Sequence, residues 1–370
     1  MRGLGYDQAS TEEWVNPPPE YTMVQKLDID NFRCFRNVRL AGLTRVNILT
    51  GGNASGKTAL LEALFLAIGG GSELALRIRQ WRGLPADLQV TSISFPQLWR
   101  DLFYHFDSST PILLALVDSE FGSRSLEITY TTSGTYLLPL GGESHPQRTG
   151  TLPLTFLYRI RDREPQAIVA ELTEQGISLG SIRDPIPGVY ISPGIAHSPT
   201  SVTRFSDLSK VNREKEVVRA LHEEFPEIES LSVEVHFGKS VLYASVSSVP
   251  EEKMPVELVS SGISKFLAIL LAIAATPKGV VIVDEIENGF HYSHLPSVWK
   301  TILDFCSRFD VQMFASTHSM EFLRAAVIEL EAHEDQICLL RARKTDGACE
   351  VDQVLGHRLE AAVAEGFEVR

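Results

Sequence analysis

The alternation of apolar and polar positions divides the chain into distinct elements. Val46, Ile48 and Leu49 form an apolar run that reads as a buried strand. After a short gap, Leu60, Leu61, Leu64 and Phe65 recur at helical spacing. Upstream, Leu27-Asp28-Ile29-Asp30-Asn31-Phe32 alternates like a strand, and Val38 and Leu40 lie on another. Gly69-Gly70-Gly71-Ser72 breaks the first helix. From Pro111 to Ile182 the pattern becomes short strands split by turns: residues 112–117, 125–131, 135–140, 151–160, 167–172 and 176–182. Val189-Tyr190-Ile191-Ser192-Pro193 reads as a strand returning to the core. A mostly helical stretch follows from Ser206 to Phe225, with Val217, Val218 and Leu221 on its apolar face, and then strands at 231–237 and 241–247. Phe266 to Ala275 has the length of a buried helix. Gly279 to Val283 and Val311 to Ala315 are continuous Val/Ile-rich and Met/Phe-rich runs of the kind buried on both faces of a parallel sheet. The last stretch reads as a helix, strands at 336–344 and 348–354, and a final helix.

These elements group into four segments. Residues 1–22, with Asn16-Pro17-Pro18-Pro19 and no periodic pattern, are expected to be a tail. Residues 23–110 hold the first strands and helices, residues 111–188 are expected to form a β-rich inserted lobe, and residues 189–370 return to the mixed α/β pattern. At 370 residues and 44% hydrophobic, the chain is long enough for two lobes with a sizeable core. No apolar run reaches a membrane-spanning length, so no membrane partner is expected. No signal-peptide pattern opens the chain, and Cys34, Cys306, Cys338 and Cys349 have neither disulfide nor metal spacing. The expected location is therefore cytoplasmic, with reduced thiols. A net charge of −13 argues against a broadly basic nucleic-acid sheath but leaves a local basic groove open.

Chemistry concentrates at two places. The first is Gly51-Gly52-Asn53-Ala54-Ser55-Gly56-Lys57-Thr58, a full GxxxxGK[ST] match between the predicted strand and helix. Glycines let backbone N–H groups converge on phosphate oxygens, and the helix start adds the positive end of its dipole. Lys57 has the reach for the β- and γ-phosphates of ATP, and the Thr58 hydroxyl is a ligand for Mg2+. The second is the strand that ends in Asp284 and Glu285. At the carboxyl edge of a parallel sheet, Asp284 would hold Mg2+ with Thr58, and Glu285 would orient and polarise the attacking water.

Four further features have two readings each. Ser260-Ser261-Gly262 opens the apolar helix either as a second anion-binding end or as a plain cap. His318 closes a strand either as a γ-phosphate contact or as a satisfied histidine. Arg33 either faces a nucleotide or is a surface charge. Arg77, Arg79 and Arg82 around Trp81 suit a nucleic-acid backbone or a solvated helix face with one anchored aromatic. His291 and His294 share a spacing but have no third ligand, so no zinc is expected.

The order of these pieces resembles the ABC-type head of P-loop NTPases, within the SMC- and RecF-like branch that includes OLD-family and AAA-15/AAA-21-type ATPases. Val259-Ser260-Ser261-Gly262-Ile263 stands where that family has LSGGQ, with Ser261 for the first Gly and Ile263 for Gln. Asp284-Glu285-Ile286-Glu287-Asn288-Gly289-Phe290-His291 matches its Walker B and D-loop run. Ser316-Thr317-His318-Ser319 matches its switch histidine, and Asn31-Phe32-Arg33-Cys34-Phe35 resembles its opening strand. The resemblance implies that ATP and Mg2+ are bound and hydrolysed, with catalytic roles for Lys57, Glu285 and His318. It also implies nucleotide contacts from residues 51–58 and Arg33, and from Ser260, Ser261 and Gly262. In that family two heads meet head to tail, each ATP lying between Lys57 of one copy and Ser260 and Gly262 of the other. A homodimer or higher homo-oligomer is therefore expected, driving or gating a separate effector such as a nuclease or toxin, in DNA maintenance or phage defence, with DNA left open as a partner. The alternative is an ATP-sensing module that controls such an effector with incidental hydrolysis. The chain departs from the family in three ways. The Gln-loop has only Gln80 and Gln97 as candidates. No heptads announce a coiled-coil arm. About fifty residues follow His318, too few for the OLD-family nuclease domain.

Overall fold

The computed structural model describes residues 24–85, 90–120, 122–130, 152–193, 199–330, 336–345 and 347–355. The expected tail at 1–22, the strand at 135–140 and the final helix lie outside those residues. The chain opens with β1 (Val24–Phe32), β2 (Phe35–Ala41) and β3 (Val46–Thr50), followed by α1 (Lys57–Gly69). Helices α2 (Ser72–Trp81) and α3 (Ser94–Arg100) lead to β4 (Ile112–Asp118), β5 (Gly122–Tyr130), β6 (Leu154–Ile160), β7 (Gln166–Thr173) and β8 (Gly176–Ser178). Strand β9 (Gly188–Ile191) precedes α4 (Pro199–Lys210), α5 (Glu214–Glu224) and the meander β10 (Ile228–His236), β11 (Lys239–Val246), β12 (Val249–Pro255). Then come α6 (Val256–Val259), α7 (Ser261–Ala275), β13 (Val280–Val283), α8 (Leu295–Arg308), β14 (Gln312–Ser316), α9 (Met320–Leu330), β15 (Ile337–Thr345) and β16 (Ala348–Leu355).

One sheet carries the chemistry. Its order is β16-β15-β3-β14-β13-β9, parallel throughout except for the β15–β16 hairpin. Every residue of β3, β13 and β14 is buried. Both faces are covered, as the unbroken apolar runs require. Alternate side chains divide between two cores. Val46, Ile48, Val281, Val283, Met313 and Ala315 face the α7–α8 side, while Leu49, Val280, Ile282 and Phe314 face α1. The pairs Val283↔Ile191, Val283↔Ala315 and Ser316↔Leu49 bring the carboxyl ends of β9, β13, β14 and β3 to one edge. Ligands of open parallel sheets bind at that edge.

The second sheet is antiparallel, in the order β2-β1-β4-β5-β6-β7-β8. The strands expected to form a separate lobe thus continue the sheet that β1 and β2 begin, and the 110/111 division runs through one hydrogen-bonded sheet. Register Ile29↔Leu114 and Leu27↔Leu116 makes the join. Helix α1 lies between the two sheets and is buried on all sides from Ala59 to Ile68, as its continuous hydrophobicity dictates. A buried ion pair, Arg124 Nε to Asp118 Oδ2 at 2.7 Å, fixes the far side, and Arg124 also donates to the Asp184 carbonyl at 2.9 Å on the way to β9.

The helical stretch expected from Ser206 begins earlier and splits in two. Asn212, at φ 57, takes the left-handed conformation that ends α4 before α5 starts. Among the described residues, no helix is long and apolar enough to cross a membrane.

Candidate functional site

The loop from Gly51 to Thr58 is shaped by two glycines. Gly51 has φ 144, and a Cβ there would lie 2.2 Å from the Ala342 carbonyl oxygen of neighbouring β15. Gly56 has φ 102, and a Cβ would meet Phe35 at 2.8 Å and Cys34 at 2.9 Å. No L-side chain fits either place. Lys57, the first residue of α1, is buried, and its Nζ donates to the carbonyls of Gly51 at 2.7 Å and Gly52 at 2.9 Å. Burial lowers its pKa, against the opposing pull of Asp284, Glu287 and Glu285.

A cavity of about 460 Å3 opens over this loop. Its wall is Asn53 to Ala59, with Arg33 and Cys34 from the β1–β2 turn, Arg82 after α2, Glu285 after β13 and His318 after β14. Ser55 is buried in that wall, and its Oγ has no hydrogen-bond partner. A buried unpaired hydroxyl beside a lysine and backbone amides is the donor set of a phosphate cradle.

The acidic strand end is held tightly. Asp284 is buried, and its two oxygens accept from Ser316 Oγ and from Tyr190 Oη, the latter at 3.3 Å. Ser316 Oγ in turn accepts from the Glu285 backbone N–H at 2.8 Å. Glu285 sits at φ 50, half-exposed, with Oε2 accepting from Asn288 Nδ2 at 2.7 Å and Oε1 3.8 Å from His318 Nε2. Backbone N–H of His318 donates to Glu287 Oε1 at 2.5 Å. Adjacent strands thus bring Glu285 and His318 into one cavity wall from 33 residues apart in sequence, as the numbering shows. Resident Mg2+ of such sites takes one or two carboxylates and fills its shell with phosphate and water. Asp284 supplies one carboxylate at the end of the strand beside the cavity, and Thr58 lines the cavity with a hydroxyl. Among the described residues, no cluster of three His, Cys, Asp or Glu could hold a metal by itself.

Arg33 is not a surface charge. Its Nε pairs with Glu62 Oε2 at 2.7 Å, its Nη1 lies 3.4 Å from Asp101, and burial lowers its pKa. Glu62, nearly fully buried on α1, also pairs with Arg82 Nε at 2.6 Å, and burial raises its pKa against both arginines. The remaining arginines near Trp81 are likewise engaged: Arg77 with Glu73 at 2.8 Å and Arg79 with Asp101. Trp81 itself stacks on Tyr190 at 4.7 Å and leans on Phe65. This cluster is the anchored-aromatic arrangement.

Ser260 caps α7, its Oγ accepting from Gly262 N–H at 3.2 Å. Ser260, Ser261 and Gly262 do not line the phosphate cavity of their own chain. Gly262 instead lies against Gly289, where a Cβ would be 2.4 Å from the Gly289 oxygen. Gln80 and Gln97 are exposed and also outside the cavity.

Three residues escaped the sequence reading. Glu62 is a lone acid in an apolar helix, and that isolation was the available signal. Tyr190 looked like one more strand residue. Lys265 stands just before the apolar run of α7; it is buried, its Nζ donates to the Asp284 carbonyl at 3.2 Å, and burial pushes its pKa down to about 8 against Asp284, Glu287 and Glu285.

Comparison with known proteins bears on the fold. Residues 171–324 match a family described as "AAA domain, putative AbiEii toxin, Type IV TA system", and residues 26–89 match one described as "AAA domain". A Helicobacter pylori ATP/GTP phosphatase is 24% identical over 332 residues, covering 81% of this chain and 86% of that protein. The Pyrococcus furiosus Smc head with an extended coiled coil, bound to the C-terminal domain of ScpA, superimposes with a TM-score of 0.52 at 12% identity, covering 94% of this chain and all of that one. The chain has the fold of an Smc head domain. A short match to RecF of Thermomicrobium roseum, 31% identical over 101 residues, covers 27% of the head and 26% of that relative. A second Smc head, bound to the C-winged helix domain of ScpA, has a TM-score of 0.50 at 14% identity and covers 92% of the head and 99% of its own chain.

Proposed function

We propose that the head binds Mg-ATP in the cavity above Gly51–Thr58, hydrolyses it, and pairs head to tail with a second copy while the nucleotide is bound. The reading rests above all on one observation: Lys57, Thr58, Asp284, Glu285 and His318 converge on one sheet edge from three separate strand ends. Backbone amides of the loop and Lys57 bind the phosphates. Thr58 and Asp284 hold Mg2+, which neutralises phosphate charge. Glu285, held by Asn288, accepts the proton of the attacking water, and His318 beside it orients the γ-phosphate. Ser260 and Gly262 sit outside their own chain's cavity, which leaves them to cap the phosphate of a second copy.

ATP-dependent pairing would then drive or gate a separate effector, a nuclease or toxin, in the cytoplasm, in phage defence or DNA maintenance. The net charge of −13 favours a protein partner over duplex DNA as the surface on which the pair acts. The test is the solution mass of Glu285→Gln with and without Mg-ATP, repeated with duplex DNA. Doubling of the mass with Mg-ATP supports the sandwich dimer, and a further rise with DNA would move DNA to the front. An unchanged monomer with ATP demonstrably bound would overturn the head-to-tail pairing.

A further inference from the structure

A second cavity, of about 290 Å3, shares no residue with the phosphate cavity. Edge strand β9 runs along it, and α1, α2, α4 and α7 contribute the rest of its lining. Its aromatic wall is Phe65, Trp81 and Tyr190. Three polar features meet against that wall. The first turn of the twelve-residue helix α4 brings Thr200 and Ser201 to the lining, so the positive end of a helix dipole faces the cavity. Arg204, one turn later, lines it as well; burial alone lowers the pKa of its guanidinium, and among the described residues it has no carboxylate, hydrogen-bond or ring partner. Ser192, at the end of β9, is 6% exposed, and its Oγ has no partner.

Each feature is costly alone. Arg204 is partly buried, and guanidinium groups taken out of water are usually found paired, because an anion or a set of acceptors offsets the desolvation. Buried hydroxyls are found hydrogen-bonded. A chain with 47 acidic residues against 34 basic ones has no shortage of carboxylates, yet among the described residues none stands beside Arg204. An oxyanion would satisfy both side chains at once, with two N–H bonds from Arg204 and one O–H from Ser192, beside the positive end of the α4 dipole. The volume lies near the lower limit of small-molecule sites and suits a group smaller than a nucleoside triphosphate.

We propose that this cavity is a second ligand site that takes a phosphoryl anion, as orthophosphate or as a small phosphomonoester, held by Arg204, Ser192 and the N-terminus of α4. Tyr190 forms its wall and donates to Asp284 at 3.3 Å, so a ligand seated here leans on a hydrogen bond of the catalytic acid cluster. That coupling rests on the ATPase reading; the binding itself does not.

The experiment removes the competing phosphate loop first. Lys57→Ala protein is titrated calorimetrically with orthophosphate and, separately, with AMP. One equivalent of at least one of them is expected to bind. Adding Arg204→Gln should weaken that binding at least about tenfold, the loss of a charged hydrogen-bonded contact. Ser192→Ala should weaken it by a smaller factor, and Arg204→Lys should retain part of it. Tighter binding of AMP than of orthophosphate identifies a phosphomonoester as the ligand; equal binding identifies the free anion. Absence of binding by both probes, or affinities that Arg204→Gln and Arg204→Lys leave unchanged, overturns the proposal. Retained tight ATP binding in Lys57→Ala would count against the phosphate-loop reading instead, so the two failures are distinguishable.

Discussion

Replacing Lys265 with Met tests the electrostatics of the site through a number. The Lys265 ammonium is buried, and its pKa falls from the ordinary 10.5 to about 8. A lysine whose pKa is lower in the folded state destabilises the fold wherever the unfolded chain holds more protons. The penalty is complete below about pH 8, fades as pH rises, and is gone above about pH 10.5. At 1.36 kcal/mol per unit, the shift amounts to about 3 kcal/mol at neutral pH. Met has similar length and removes the charge, but it leaves the Asp284 carbonyl without its donor, which costs about 1–2 kcal/mol. Lys265→Met is therefore expected to be more stable than the parent by about 1–2 kcal/mol near pH 7. Near pH 9.5 the parent regains about 2 kcal/mol, and the advantage disappears or reverses. Urea unfolding of both proteins without nucleotide or Mg2+, at several pH values across this window, measures the difference. Other titrating groups act on both proteins alike and cancel. Parallel stability curves across the window would refute the claim that Lys265 carries a depressed pKa among the three carboxylates. Turnover should move the opposite way, since the variant loses the cation that faces Asp284, Glu285 and Glu287.

Three further outcomes are expected. Lys57→Ala should abolish ATP binding, measured with a fluorescent ATP analogue, because the cradle loses the buried cation that faces the loop carbonyls of Gly51 and Gly52. Gly262→Ala places a Cβ 2.4 Å from the Gly289 oxygen, so it should cost about 1–3 kcal/mol in denaturant unfolding and weaken ATP-dependent pairing of Glu285→Gln; an unchanged stability would show that the α7 start and the Gly289 turn separate freely. Asp118→Ala leaves Arg124 buried beside Tyr158 without its carboxylate, so unfolding should shift by about 3–5 kcal/mol while ATP affinity stays the same.

Much of the site was legible in the chain because its chemistry is local. Gly51 to Thr58 are consecutive, and their glycines and Lys57 declare a phosphate loop without any tertiary information. The apolar run ending in Asp284-Glu285 announced a strand buried on both faces, and β13 is that strand. The inserted lobe was misread for the same reason. Alternation identifies β4 to β8 as strands, but a period of two says nothing about which strand lies beside which, and the join to β1 is made between partners 83 to 94 residues apart. The arginines near Trp81 had two readings because their partners, Glu62 and Asp101, come from other elements.

The sequence by itself determined the secondary structure of the core, the phosphate loop and the acidic strand end, since each depends on neighbours along the chain and on side-chain period. Tertiary structure alone decided that Glu285 and His318 share a wall with Lys57, that Lys265 lies buried behind Asp284, that Tyr190 donates to that same acid, and that Arg204 has no anion beside it among the described residues. The physical reason is common to all four. Desolvation and charge pairing depend on what surrounds a group in space, and here every such neighbour comes from a different strand or helix.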